Sequence, residues 1–201
     1  AEGCDYLVIE ASSHALEQGR VSACNFAGAI FTNLTQDHLD YHLTIENYCQ
    51  SKAKLFRQLD PAAENRYGVV NIDDGHGYVF AEACPAPVWG YGSKDSGTTV
   101  RLLDYSSSAK GMHFSIAYQR EKYAVSIPLI GKFNVYNSMA ALTAALAEGM
   151  AMDDIIKALA TAPQAPGRFE LIDEGQDFMV VVDYAHTPDG LKNVLNSAEK
   201  L

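Results

Sequence analysis

The sequence predicts an α/β fold: a mostly parallel, doubly wound sheet with antiparallel strands added at one edge. Three observations carry this expectation. The runs YLVIE (6–10), GAIFTNL (28–34), YGVVNIDD (67–74) and PVWGYG (87–92) have the near-continuous hydrophobicity of strands buried on both faces. Helical patterns separate the first three, the alternation that builds parallel crossovers. The segments TTVRLLDY (98–105), GMHFSIAY (111–118) and KYAVSIPL (122–129) then alternate apolar and polar residues with no helix between them. That is the pattern of antiparallel strands with one wet face.

The remaining elements follow in order. Thr44 is placed to cap a helix running to about Leu59. NVYNSMAALTAALAEGM (134–150) is rich in alanine and leucine and reads as a long helix. MDDIIKALATA (152–162) reads as another, with acids in its first turn as the helix dipole favours. PQAPG (163–167) has two prolines and a glycine without periodicity and reads as a linker. Beyond it, FELIDEGQDFMVVVDYAHTPDGLKNVL reads as hairpin, buried strand and helix, with Thr187 as N-cap and Pro188 at the first helical position. Residues 1–165 are therefore expected to form one domain and 166–201 to open a second α/β domain. Both ends fall within a structural pattern, so the chain reads as a piece of a longer protein.

Composition narrows the function classes. The chain has 201 residues, 48% hydrophobic and 20% charged, as an ordinary soluble globular protein has. No apolar run approaches the roughly 20 residues needed to cross a bilayer, so no membrane insertion is expected. The start carries no basic-then-apolar leader. Cys4, Cys24, Cys49 and Cys84 show no CxxC pairing, which fits reduced thiols and a cytoplasmic location. A net charge of −10 argues against nucleic acid as a partner. It leaves room for a phosphorylated small molecule, because a few local cations or a magnesium ion suffice.

YCQSKAKLF (48–56) holds two lysines two positions apart. With ~100° per residue, Tyr48, Leu55, Phe56 and Leu59 share an apolar stripe with Ile45. Lys52 falls in the middle of that stripe, and Lys54 falls on the opposite, solvated side. An ammonium on a buried stripe is costly and needs a reason. The bland reason is a buried stem with its head in water. The sharper ones are a salt bridge, a phosphate contact or chemical modification. Burial lowers a lysine pKa. A neutral amine can add carbon dioxide to become a carbamate, an oxygen ligand suited to magnesium. Glu10 closes the first apolar run, and Thr35, Asp37 and His38 follow the second. In α/β folds ligands bind at such strand ends. Taken singly, Glu10 also fits a helix-capping acid, His38 and His42 core or surface histidines, and Asp40 a solvated loop acid.

The same residues carry a resemblance. EASSHALEQGR (10–20), TNLTQDHLDYH (32–42), YCQSKAKLF (48–56), GKFNVYN (131–137), GRFE (167–170) and DYAHTPDGL (183–191) resemble the Mur ligases, ATP-dependent amide ligases of bacterial cell-wall synthesis. Within that family they are most similar to the tripeptide-synthetase branch. DHLDYH with DYAHTPD is specific, whereas GRFE alone is weak. The resemblance implies a central ATPase domain followed by the start of a Rossmann-like C-terminal domain. It implies UDP-N-acetylmuramoyl-L-alanyl-D-glutamate, ATP and a diamino acid, meso-diaminopimelate or L-lysine, as substrates, joined through an acyl phosphate. It implies Mg2+ held by Glu10, His38 and an N-carboxylated Lys52, the three residues at the catalytic centre. It implies Ser12, Gln18 and Arg20 as contacts of the UDP-sugar peptide. Asn134, Asn137, Arg168 and Asp183 are implied to bind ATP, with His186 beside them.

The departures are equally legible. The phosphate loop G-x-x-x-x-G-K-[ST] is absent: Gly131-Lys132 is followed by Phe133, and Ser126 stands where the first glycine belongs. Family members carry that loop upstream of the position matching Glu10, so this chain alone is expected to be inactive. The rival readings are a folylpolyglutamate synthase-like ligase, a carbamyl-lysine metallohydrolase and a non-catalytic nucleotide-sugar binding module. The metallohydrolase class wants an H-x-H pair, which this sequence lacks.

Overall fold

The computed structural model describes residues 3–35, 39–108 and 111–199, with the backbone alone for Leu39 and Asp40. A single six-stranded sheet runs in chain order: β1 (Gly28–Phe31), β2 (Tyr67–Asn71), β3 (Val88–Gly92), β4 (Val100–Ser108), β5 (Gly111–Tyr118) and β6 (Glu121–Ile127). Strands β1 to β4 are parallel, with Ile30 opposite Val69 and Val70 opposite Gly90. Strands β4 to β6 are antiparallel. The expected edge addition is therefore continuous with the parallel strands. The helices are α1 (Ser13–Glu17), α2 (Leu39–His42), α3 (Ile45–Arg57), α4 (Gly77–Ala83), α5 (Lys132–Ala147), α6 (Met152–Ala160) and α7 (Pro188–Ala198). After the linker, β7 (Glu170–Ile172) and β8 (Val180–Val182) form a separate antiparallel pair.

Val69 and Val70 show how the layers are built. Successive strand residues point to opposite faces, and both valines are fully buried. Val70 packs with Phe31, Ala53, Phe56 and Phe80 under α3 and α4. Val69 packs with Tyr91, Val135, Met139 and Leu142 under α5. Helices thus cover both faces of the sheet, which is why β2 is apolar on both sides. The expected caps hold: the Thr44 side chain accepts from the Asn47 N–H, and the Thr187 side chain from the Gly190 N–H. Helix α5 begins at Lys132, with Gly131 at its cap in a positive-φ conformation of 100°. A Cβ at Gly131 would lie 2.5 Å from the Phe133 ring, so this turn requires glycine.

Two strand expectations are corrected. YLVIE (6–10) forms no strand and is not buried: Leu7 is 86% and Val8 90% exposed. A buried strand needs partners on its edges and helices over its faces. Among the described residues neither reaches this segment, and hydrophobicity alone supplies neither. The run expected as a buried strand after the linker is the short hairpin strand β8, with Val182 45% exposed. Among the described residues it pairs with β7 alone, and no residue of α7 is buried.

Candidate nucleotide site at the strand ends

The carboxyl ends of β1, β2 and β3 meet in a network of side-chain to backbone bonds. The Asn71 amide donates to the Thr32 carbonyl at 2.7 Å, and its oxygen accepts from the Asp73 N–H at 3.0 Å. Asp74 accepts from the Leu34 N–H at 2.9 Å and from the His76 N–H at 2.8 Å, which ties the β1 loop to the β2 loop. Asp73 accepts from the backbone N–H groups of Ser93 and Lys94 and from the Tyr136 hydroxyl. Burial would raise the Asp73 carboxyl. The hydrogen bonds from Tyr136, Ser93 and Lys94 outweigh it and hold the group below the usual carboxylate value. The Tyr136 phenol moves the other way: burial first, then the Asp73 carboxylate, push it up to about 12.

Against this network lies a cavity of about 330 Å³. Thr32, Asn33 and Asn71 line its strand side, the first turns of α5 another, and Asn193, Asn196 and Ser197 of α7 contribute from beyond the linker. Asn137 is in the wall. Asn134 is buried behind it, donating to the Ile130 carbonyl at 2.8 Å and accepting from the Asn137 amide at 3.4 Å. Of these two asparagines, Asn137 therefore lines the cavity and Asn134 accepts from its amide from behind.

Arg168 and Asp183 are brought together by the β7–β8 hairpin. The Asp183 carboxylate accepts from the N–H groups of Phe169 and Ala185, each at 2.7 Å. The Arg168 guanidinium lies over the Tyr184 ring at 5.2 Å. Between them, buried Phe169 meets Phe133 edge-on at 5.9 Å, which seats this segment against the turn that opens α5. The His186 Nδ1–H donates locally to the Tyr184 carbonyl, 3.0 Å away.

The second cluster surrounds α1 and α3. Tyr48, Cys49, Ser51, Ala53 and Phe56 are buried, so the covered face of α3 is wide. Lys52 lies inside that arc but is itself only half-buried. Its Nζ lies 5.2 Å from the centroid of the Tyr48 ring. Next to Tyr48 stands the buried His42 ring, whose Nε2 is 2.9 Å from the Ser13 hydroxyl. Lys54 departs from expectation. It is half-buried and donates to Glu17 at 2.5 Å. A wheel drawn for one helix does not see that α1 packs alongside. The Lys54 hydrogen bond holds the Glu17 carboxyl below its usual value.

The other expected site residues sit near α1. Ser12 caps that helix, accepting from the Ala15 N–H at 3.2 Å. Gln18 is its C-cap, and Arg20 closes the turn through its backbone N–H to Ala15. Arg20 is exposed, and its guanidinium meets no carboxylate among the described residues. Glu10 is exposed without a hydrogen-bond partner among the described residues. His38 and Asp37 lie outside the described residues. Among the described residues no three His, Cys, Asp or Glu side chains converge as a metal ion requires. Sequence reasoning missed Asn71, Asp73, Asp74, Tyr105, Lys132 and Tyr136. The NIDD ending of an apolar run was the available signal for the first three, since acids and amides after a parallel strand sit where ligands bind.

Comparisons with known proteins agree with this geometry. The chain is 44% identical over 203 residues to the UDP-N-acetylmuramoyl-L-alanyl-D-glutamate--2,6-diaminopimelate ligase of Geobacillus kaustophilus (strain HTA426), covering 100% of this chain and 41% of that protein. A solved structure of a UDP-N-acetylmuramoyl-L-alanyl-D-glutamate--2,6-diaminopimelate ligase superposes with a TM-score of 0.78 at 35% identity, over 95% of this chain and 39% of that one. The Mycobacterium tuberculosis folylpolyglutamate synthase complexed with ADP and AMPPCP shares the fold alone, with a TM-score of 0.72 at 21% identity over 88% of this chain and 40% of that one. The chain thus spans about two fifths of the length of the curated relatives it matches. The family profile of the Mur ligase middle domain matches residues 1–145, and that of the Mur ligase glutamate ligase domain matches residues 167–201. With the strand-end network in the first segment and the Arg168 hairpin in the second, the chain belongs to the Mur ligase family.

Proposed function

We propose that the protein containing this chain is an ATP-dependent amide ligase that joins 2,6-diaminopimelate to UDP-N-acetylmuramoyl-L-alanyl-D-glutamate. Residues 1–165 act as its central domain, and 166–201 open the next one. The observation that carries the reading is the cavity of about 330 Å³ at the ends of β1 and β2, walled by α5 and by α7 from across the linker. A cleft between two segments suits a reaction in which one substrate must be enclosed after another has bound. The names of relatives at 42–44% identity support 2,6-diaminopimelate as the added amino acid.

In this reading the substrate carboxylate oxygen attacks the γ-phosphorus of ATP, and ADP leaves. The incoming amine attacks the acyl carbon, phosphate leaves, and the amine loses one proton as the amide forms. Asn137, oriented by Asn134, contacts the nucleotide. Arg168, stacked on Tyr184, supplies a cation, and Asp183 keeps the hairpin that presents it. Ser12, Gln18 and Arg20 face the acceptor, where the guanidinium of Arg20, without a carboxylate partner among the described residues, suits a carboxylate or phosphate.

Glu10, His38 and Lys52, the last as an N-carboxylysine, are the residues that would hold Mg2+. The donor chemistry fits. The Glu10 carboxylate has no partner among the described residues, and Lys52 is half-buried on a face of α3 whose Tyr48, Ser51 and Phe56 are buried. When bound, magnesium neutralises charge on the triphosphate and the acceptor.

The test uses the full-length protein with ATP and UDP-N-acetylmuramoyl-L-alanyl-D-glutamate. ADP release that depends on 2,6-diaminopimelate is expected. Release that depends on L-lysine alone would move the specificity. ADP release only with a folate and glutamate would overturn the reading in favour of the folylpolyglutamate class.

A further inference from the structure

His42 closes the run TNLTQDHLDYH and is buried at the end of α2. Its Nε2 lies 2.9 Å from the hydroxyl of Ser13, itself buried at the start of α1. The same ring meets buried Tyr48 of α3, with centroids 5.2 Å apart, and Lys52 Nζ lies 5.2 Å from that tyrosine ring. The His42 backbone is also held. Its carbonyl accepts from the Thr44 N–H at 2.8 Å and from the Asn47 amide at 3.1 Å. The Ser51 hydroxyl of α3 donates to the Ser13 carbonyl at 3.1 Å, so α1 is tied to α2 and α3 at one residue.

We propose that His42 is a positioning residue that sets the acceptor segment of Ser12, Gln18 and Arg20 against Lys52. The inference rests on the reading that those three side chains hold the acceptor and that Lys52 acts at the reacting centre. Ser13 directly follows Ser12, and α1 has only five residues. A helix that short has little stability of its own, so its orientation comes from its contacts. A hydrogen bond between buried groups is directional, and turning either group away leaves both unsatisfied at a cost. A ring that merely filled space at position 42 would pack against Tyr48 equally well but would not fix the turn of α1. The consequence for chemistry is large, because a misplacement of about 1 Å in a bound reactant costs up to about 10²-fold in rate.

The test is steady-state kinetics of the full-length protein with ATP, the UDP-sugar peptide and 2,6-diaminopimelate, with thermal melts alongside. His42→Phe keeps a ring beside Tyr48 and removes the bond to Ser13. It should lower kcat/KM for the UDP-sugar peptide about tenfold and leave the KM for ATP within about twofold. His42→Gln, whose amide reaches toward the position of Nε2, should recover most of that loss. Ser13→Ala removes the same bond from the other side and should match His42→Phe. Combining the two should cost less than about twofold more than either alone, since both act on one bond. If His42→Phe does not fold, Ser13→Ala and His42→Gln carry the test. A lowered melt with unchanged kinetic constants would reduce His42 to packing and overturn the inference, as would equal losses for ATP and the peptide. Arg20→Ala separates the two levels. If it lowers kcat/KM for the peptide while His42→Phe and Ser13→Ala do not, only the positioning role falls. If none of the three does, the acceptor reading of α1 falls with it.

Discussion

The Tyr136 hydroxyl donates to the Asp73 carboxylate at 2.8 Å, joining α5 to the loop after β2 across 63 positions of sequence. The same carboxylate holds the N–H groups of Ser93 and Lys94 after β3. One ionised side chain thus fixes three elements around the cavity. Its protonation state should be visible in stability.

Because the Asp73 carboxyl is depressed in the folded state, its contribution is fully present above the unfolded carboxylate value of about 3.9. It is lost as pH falls through the lower folded value. Asp73→Asn should cost about 1.5–3 kcal/mol at pH 7, the size of hydrogen bonds to a charged acceptor. Denaturant titrations of the two proteins should converge below about pH 4. A gap that stays constant from pH 7 to pH 3 would show that ionised Asp73 is not the source.

Gly92 should be intolerant of any side chain. A Cβ there would lie 2.9 Å from the Asp73 carboxylate carbon. Gly92→Ala should cost roughly 1–3 kcal/mol by overpacking. In combination with Asp73→Asn the effects should be less than additive, since both act on one contact. Full additivity in thermal melts would refute the shared cause.

Lys52 and Lys54 should separate activity from stability. In the full-length ligase, Lys52→Ala should remove most of the turnover with little change in the melt. Lys54→Ala should leave turnover intact and cost at most about 1 kcal/mol, because its ion pair with Glu17 is partly solvated. Added acetate should restore part of the Lys52→Ala rate if a carboxylate is what the site needs. Equal losses of turnover in both variants would count against the assignment of Lys52.

Arg20 should act on the acceptor substrate. Arg20→Ala should raise the KM for the UDP-sugar peptide by one to two powers of ten, the loss of one charge-assisted contact worth roughly 1.5–3 kcal/mol. The KM for ATP should move far less. Equal shifts for both substrates would sink the assignment.

Much of the architecture was legible because its signals are local. The strand alternation, the Thr44 and Thr187 caps and the antiparallel run from 98 to 129 each depend on a few neighbouring residues. The places where reading failed have a common cause. YLVIE has the composition of a buried strand but meets no partner among the described residues. Lys54 has the wheel position of a solvated lysine but meets Glu17 of a neighbouring helix. Motif resemblance marked Asn134 and Asn137 as equals, whereas packing puts Asn137 in the cavity wall and Asn134 behind it.

By itself, then, the sequence determined the class of the fold and the family motifs. Helical and strand periodicity, capping and motif spacing are written in residues close along the chain. Only the tertiary structure decided that Asp73 binds three elements, that Tyr105 and Tyr136 flank Lys132, and that Phe169 seats the Arg168 hairpin on Phe133. Those partners lie tens of residues apart in the chain. They meet because parallel strands deliver their carboxyl ends to one side of the sheet and α5 packs across it, and no local pattern encodes which distant side chain will be waiting there.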